Sequence, residues 1–211
     1  MKPYFFTSKR NLLLKAAILL ILSLCLTPNP AYACGHDGFY VGLGYEQLIP
    51  FSPDRQYSIS GNGQRITFGT RFGGLVLIGY DFPCTRWGVQ LTFDGGKLRL
   101  NKIENIYYLG SNLEGVVHLA SWRDGLDIYL VGGAGTTYLT EGDLKNSSAT
   151  FGINVGFGPG IAYYFKKSDR MSAALKFDIP LRYTHFLGQH LSDTGTNVIS
   201  VPLRLSVGVG F

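Results

Sequence analysis

The chain has 211 residues, of which 45% are hydrophobic, 14% aromatic and 16% charged, with 28 glycines and a formal charge of +5. Four of its nineteen basic residues and none of its fourteen acidic ones fall in residues 1–33, so the rest balances at fifteen against fourteen, or +1, which excludes the basic face a nucleic-acid partner would need. Beyond residue 33 no apolar run approaches the ~18 residues of a membrane helix, and the wealth of Gly, Tyr and Phe suits strands.

Lys2, Lys9, Arg10 and Lys15 precede an apolar segment of eleven residues, Ala16 to Leu26, and Ala31 and Ala33 supply a small-x-small cleavage pattern. Residues 1–33 therefore read as a cleaved secretory signal peptide and 34–211 as a single β-barrel domain with nothing following its last strand. Cleavage would make Cys34 the first mature residue; bulky Tyr32 and the distance from the apolar segment argue against a lipoprotein.

From Phe39 onward the hydropathy has a period of two. Apolar residues occupy alternate positions in Phe39 to Tyr45, Ile66 to Phe82, Trp87 to Phe93, Leu113 to Leu119, Ile128 to Thr136, Phe151 to Phe165, Ala173 to Tyr183 and Ile199 to Phe211. In a strand that period places one set on one face. The other face carries Gly, Ser, Thr and charges, which cannot fill a dry core, so the apolar face is expected to meet lipid. Connections alternate: short turns at Pro83 to Arg86, Ser121 to Gly125 and Lys166 to Arg170, long loops around Gln47 to Gln64, Gly95 to Asn112, Leu139 to Thr150 and His185 to Thr196. The expectation is an all-β fold: an eight-stranded antiparallel up-and-down transmembrane β-barrel with short periplasmic turns and four long extracellular loops in a bacterial outer membrane.

Unpaired backbone groups find no partner in hydrocarbon, so such a sheet must close. Aromatic belts are expected from Phe39, Phe82, Trp87, Phe165 and Phe211 at the turn end, and from Tyr45, Phe68, Phe93, Tyr138, Phe151 and Tyr183 at the loop end. The inward face would hold Arg71, Lys176, Arg182 and Arg204 with Glu46, Asp81, Asp94, Glu114, Asp127 and Asp178. Lone buried charges are costly, so these should pair, and the network is expected to centre on Arg204, Asp178, Lys176 and Glu114. A selective pore and a structural filling both remain open, with the narrow eight-stranded lumen favouring the filling.

The segments Gly38 to Glu46 (GFYVGLGYE), Gly74 to Phe82 (GLVLIGYDF), Phe151 to Phe165 (FGINVGFGPGIAYYF) and Val201 to Phe211 (VPLRLSVGVGF) resemble the small eight-stranded outer-membrane proteins of the OmpA-like and opacity-type superfamily. The resemblance implies that the last strand, ending in Phe211, is read by the outer-membrane assembly machinery. It also implies partners in outer-membrane lipid and lipopolysaccharide, and a host or envelope ligand at the loops. Unlike in OmpA, no peptidoglycan-binding domain is expected.

Chemistry-bearing residues are sparse. His190 and Ser192 faintly resemble the His-x-Ser element of the lipid A deacylases, but neighbouring Asp193 is poorly placed to orient the imidazole. Cys34, His36 and Asp37 lack a second ligand cluster. His118 reads as a packed lumen residue, and Asn146 to Ser148 as an uninformative glycosylation match. Cys34 precedes the first strand and Cys84 follows the second at the same end, so a disulfide is geometrically reasonable. Phe51, Arg55, Tyr57, Tyr107 and Tyr108 are candidate loop contacts. The sequence favours a non-enzymatic barrel without metal or cofactor; a lipid A-modifying hydrolase and a narrow pore are the alternatives.

Overall fold

Strand parity and hydrogen bonding combine into a closed ring. The structure, a computed structural model, describes residues 38–51, 56–58, 65–67, 70–98, 106–122, 125–141, 149–168, 171–187 and 196–211. The strands are β1 (Gly38–Pro50), β2 (Gln56–Ser58), β3 (Arg65–Thr67), β4 (Arg71–Asp81), β5 (Trp87–Leu98), β6 (Ile106–Ser121), β7 (Leu126–Glu141), β8 (Ala149–Ser168), β9 (Met171–Asp178), β10 (Leu181–Leu187) and β11 (Thr196–Gly210). Strands β2 and β3 pair with each other alone; the other nine form one antiparallel sheet that closes between β1 and β11. Because β9 and β10 both lie between β8 and β11, they are halves of one stave, and the barrel has eight.

Following register partners from Val41 through Ile78, Leu91, Leu113, Ala134, Val155, Tyr183 and Ile199 leads back to β1 at Phe51, ten residues further on. That stagger fixes the strand tilt, about 40° for a barrel of this size. Every residue on this circuit is exposed. The intervening positions point inward and are largely buried, so the apolar residues face out and the charges face in.

The strand boundaries correct the sequence reading in three places. The second expected strand, Ile66 to Phe82, divides into β3, which joins the separate ribbon, and β4. The ladders extend into three expected loops: β5 reaches Leu98 and β6 begins at Ile106, β7 reaches Glu141, and β10 reaches Leu187. Tyr108 is thus no loop contact; it lies inside the barrel at 2% exposure, while Tyr107 faces outward. The seventh expected strand breaks at Ile179 and Pro180, because proline has no N–H to give the ladder.

The turns explain the tight end. Between β6 and β7 the chain reverses through Trp122 N–H to Leu126 O and Gly125 N–H to Trp122 O, with Gly125 at φ 99°, a conformation glycine adopts freely. Between β4 and β5, Thr85 Oγ1 donates to Phe82 O at 2.9 Å and Cys84 takes φ 56°. Phe39, Phe82, Trp87, Phe165 and Phe211 ring this end on the outside, joined by Trp122. At the other end Tyr45 stacks on Phe72 and Tyr138 packs on Phe151; Phe68 lies outside the described residues.

Candidate functional site

The lumen is where this chain concentrates its chemistry, because every strand directs alternate residues into it. Small inward residues make room for large ones from opposite staves. A Cβ on Gly79 would run into the Tyr40 ring, and one on Gly160 into Tyr129, so those rings lie flat across the interior. Tyr40 Oη donates to Gln90 Oε1 at 3.1 Å, and Gln90 Nε2 donates to Glu114 Oε2 at 2.8 Å.

The central layer is ionic. Arg204 donates from Nε to Glu46 Oε2 at 3.1 Å and from Nη1 to Glu114 Oε1 at 2.7 Å. Arg182 Nη2 lies 3.3 Å from Glu46 Oε2, and its Nη1 lies 3.5 Å from Asp94 Oδ2. Asn112 Nδ2 donates to Asp94 Oδ1 and to Thr92 Oγ1, each at 3.3 Å. Glu46, Asp94 and Arg204 are each at most 1% exposed. Two guanidiniums shared among three carboxylates offset the desolvation that any one of these charges would suffer alone.

Arg204 and Glu114, two of the four residues expected at the centre, are in contact, and Glu46 links Arg204 to Arg182, both Glu46 and Arg182 having been expected on the inward face. Asp178 lies opposite Arg204 in the β9–β11 register. Asp178 accepts a hydrogen bond from Tyr129 Oη, while Lys176 Nζ turns to the Tyr40 ring, 3.7 Å from its centre. The direct contact of Lys176 is thus a cation–π one, with Asp81, Asp178 and Asp127 acting on it from further away. The Arg71 side chain lies outside the described residues.

A second buried cluster lies at the turn end. His118 Nδ1 is 2.7 Å from Asp127 Oδ2 and its Nε2 is 3.4 Å from Asp81 Oδ1. One imidazole thus bridges β4 and β7 through carboxylates, and a β-bulge between His118 and Ala120 accompanies it on β6.

On the outer wall near the loop end, Asn197 Oδ1 accepts from Tyr183 Oη at 2.7 Å and faces His185 Nδ1 at 2.7 Å. The sequence reading missed this set because His185 was assigned to a loop. It joins an imidazole, an amide and a phenol on the outer wall. The motif His190, Ser192 and Asp193, the cluster Cys34, His36 and Asp37, residues 1–33, Arg55 and Asn146 to Ser148 lie outside the described residues, as does the Tyr57 side chain. Cys84 is exposed in its turn, and Cys34 lies outside the described residues.

Comparison with known proteins agrees with this geometry. The family described as outer membrane protein beta-barrel domain matches residues 16–211. No curated protein matches the chain. Among solved structures, Neisserial surface protein A (NspA) shares the barrel fold, with a TM-score of 0.55 at 16% identity over 82% of this chain and 97% of that one. The N-terminal β-barrel domain of Pseudomonas aeruginosa OprF aligns at 16% identity with a TM-score of 0.42, covering 82% of this chain and 98% of that one. Ail, the attachment invasion locus protein of Yersinia pestis, aligns at 15% identity with a TM-score of 0.43, covering 83% of this chain and 99% of that one.

Proposed function

Since this chain belongs to the outer membrane protein β-barrel domain family, and so resides in the bacterial outer membrane, we propose that it is a non-enzymatic barrel with a plugged interior whose loops contact a host or envelope ligand. The observation that carries the plugged interior is the ionic layer of Arg204, Arg182, Glu46, Glu114 and Asp94 across the middle of the lumen. An ion crossing there must displace guanidinium–carboxylate contacts already made in a low-dielectric space. Reconstituted in planar bilayers, the protein should be electrically silent at neutral pH; resolved single-channel steps would favour the narrow pore.

The loop assignment rests on architecture: rigid staves present the connections between β1 and β4, β5 and β6, β7 and β8, and β10 and β11 at one end. Protease treatment of intact cells should cut within 52–55, 59–64 or 142–148 and spare the barrel staves; cleavage only after the envelope is opened would reverse the orientation.

In the same reading residues 1–33 are removed on export, 34–211 are the mature barrel, and Phe211 presents the last strand to the assembly machinery. Lipid and lipopolysaccharide surround the belts. Tyr183, His185 and Asn197 then serve as interfacial anchors, the role suited to amphipathic side chains at that depth. We assign Cys34 as the partner of Cys84, which would staple the start of β1 to the turn after β4. Mass analysis of a non-reduced digest should recover the Cys34–Cys84 pair; a peptide joining Cys84 to another cysteine would refute the assignment.

A further inference from the structure

The turn-end half of the lumen contains a buried ammonium that no carboxylate among the described residues touches directly, although Asp81, Asp178 and Asp127 act on it through space. Lys176 is 6% exposed, and among the described residues its ammonium meets ring faces alone, with Nζ 3.7 Å from the Tyr40 centre and 5.9 Å from that of Tyr129. A desolvated ring contact contributes about 2 kcal/mol, whereas a buried unpaired charge costs several kcal/mol. Lys176 lines a cavity at the mouth of the barrel with Asp81, Tyr164, Ser172, Gly208 and Gly210. Asp81 is 5% exposed, and its Oδ1 is ion-paired with His118 Nε2 at 3.4 Å. The cavity therefore presents an ammonium held only against ring faces and a carboxylate held by an imidazole, with no direct contact between the two.

The surrounding charges select among ligands. The described buried lumen holds the carboxylates of Glu46, Asp81, Asp94, Glu114, Asp127 and Asp178 against the cations Lys176, Arg182 and Arg204, with His118 between two of the acids. An anion entering alone meets this acidic excess, and a cation entering alone meets Lys176. A ligand carrying both charges meets neither penalty. The lining of Gly208, Gly210 and Ser172 leaves room for a group of a few atoms.

We propose that this cavity binds a small zwitterion, an amino acid with its carboxylate toward Lys176 and its ammonium toward Asp81. The site opens at the turn end, so the ligand arrives from that side of the membrane without crossing the ionic layer.

The test uses the full folded barrel in nanodiscs, followed by amide NMR. Glycine and β-alanine should produce saturable shifts at Ala174, Gly208 and Gly210, about tenfold tighter than acetate or methylammonium. Lys176→Met and Asp81→Asn should each abolish them while the rest of the barrel spectrum persists. If either variant fails to fold, Ser172→Leu, which fills the cavity from its rim, should abolish them instead. Equal affinity for acetate, shifts that survive Lys176→Met or Ser172→Leu, or no saturable shift in the parent protein would each overturn the proposal.

Discussion

Glu46 and Arg204 are direct register partners on the first and last staves, and Arg204 Nε donates to Glu46 Oε2 at 3.1 Å across the seam that closes the barrel. The same carboxylate receives Arg182 from the stave beyond. Closing the ring and filling it are thus one event: Glu46 finds its two guanidiniums only when β1 meets β11, and Arg204 reaches Glu114 only across a formed lumen. Both ends of the chain, far apart in sequence, become committed together.

Removing Glu46 leaves both guanidiniums buried with reduced partnership. Glu46→Ala should lower the unfolding free energy in lipid vesicles by roughly 3–5 kcal/mol, the cost of breaking a buried pair. Glu46→Gln, which keeps an acceptor oxygen, should cost less. Urea titration monitored by tryptophan fluorescence measures both; a loss below about 1 kcal/mol would equate this layer with a surface ion pair.

Two glycines of opposite parity on β4 make a matched pair. A Cβ on Gly79 would collide with the Tyr40 ring, whereas Gly74, on the outer face, has open space around its Cβ position. Gly79→Ala must move a ring that also hydrogen-bonds Gln90 and covers Lys176. It should cost about 1–3 kcal/mol, the usual penalty for overpacking. Gly74→Ala should be close to neutral in the same urea titration. Equal effects would remove Tyr40 from its position over Gly79.

Leu43 is 70% exposed on β1, flanked in register by the outward Val76 and Val207. Exposure of that extent in a leucine is unfavourable in water and favourable in hydrocarbon. Leu43→Arg should therefore destabilise the barrel by about 2–4 kcal/mol in vesicles if it lies near the bilayer midplane. Unfolding measured in the lipid bilayer decides this; a neutral substitution would place water at that depth of the wall.

The architecture was legible because a period of two survives without tertiary information: parity alone separated Leu43, Val76 and Val207 from Glu46, Asp81 and Arg204. Depth was not legible, because it depends on the stagger accumulated around the ring. Glu46 sits opposite Arg204 only through the ten-residue offset that sequence does not display. Side-chain direction was equally hidden. Lys176 and Asp178 share a face of β9, yet one turns to Tyr40 and the other to Tyr129, each ring admitted by a glycine on another stave. Loop ends were misjudged where ladders run on through polar positions, as at Lys97 and Tyr107, which are cross-strand partners and not loop residues.

Phe211 tests whether the chain's end serves the fold or its delivery. Its N–H donates to Phe39 O at 2.8 Å, a backbone contact that any residue can make, and its side chain is 63% exposed. The ring therefore contributes little internal packing. Phe211→Ala in purified, refolded protein should shift the unfolding free energy by no more than about 0.5 kcal/mol, as for an exposed site. If the ring is what the assembly machinery reads, the same substitution should reduce the folded, heat-modifiable fraction in cell envelopes several-fold. A large loss of stability in vitro with unchanged assembly in cells would reverse this assignment and make Phe211 a structural part of the turn-end belt.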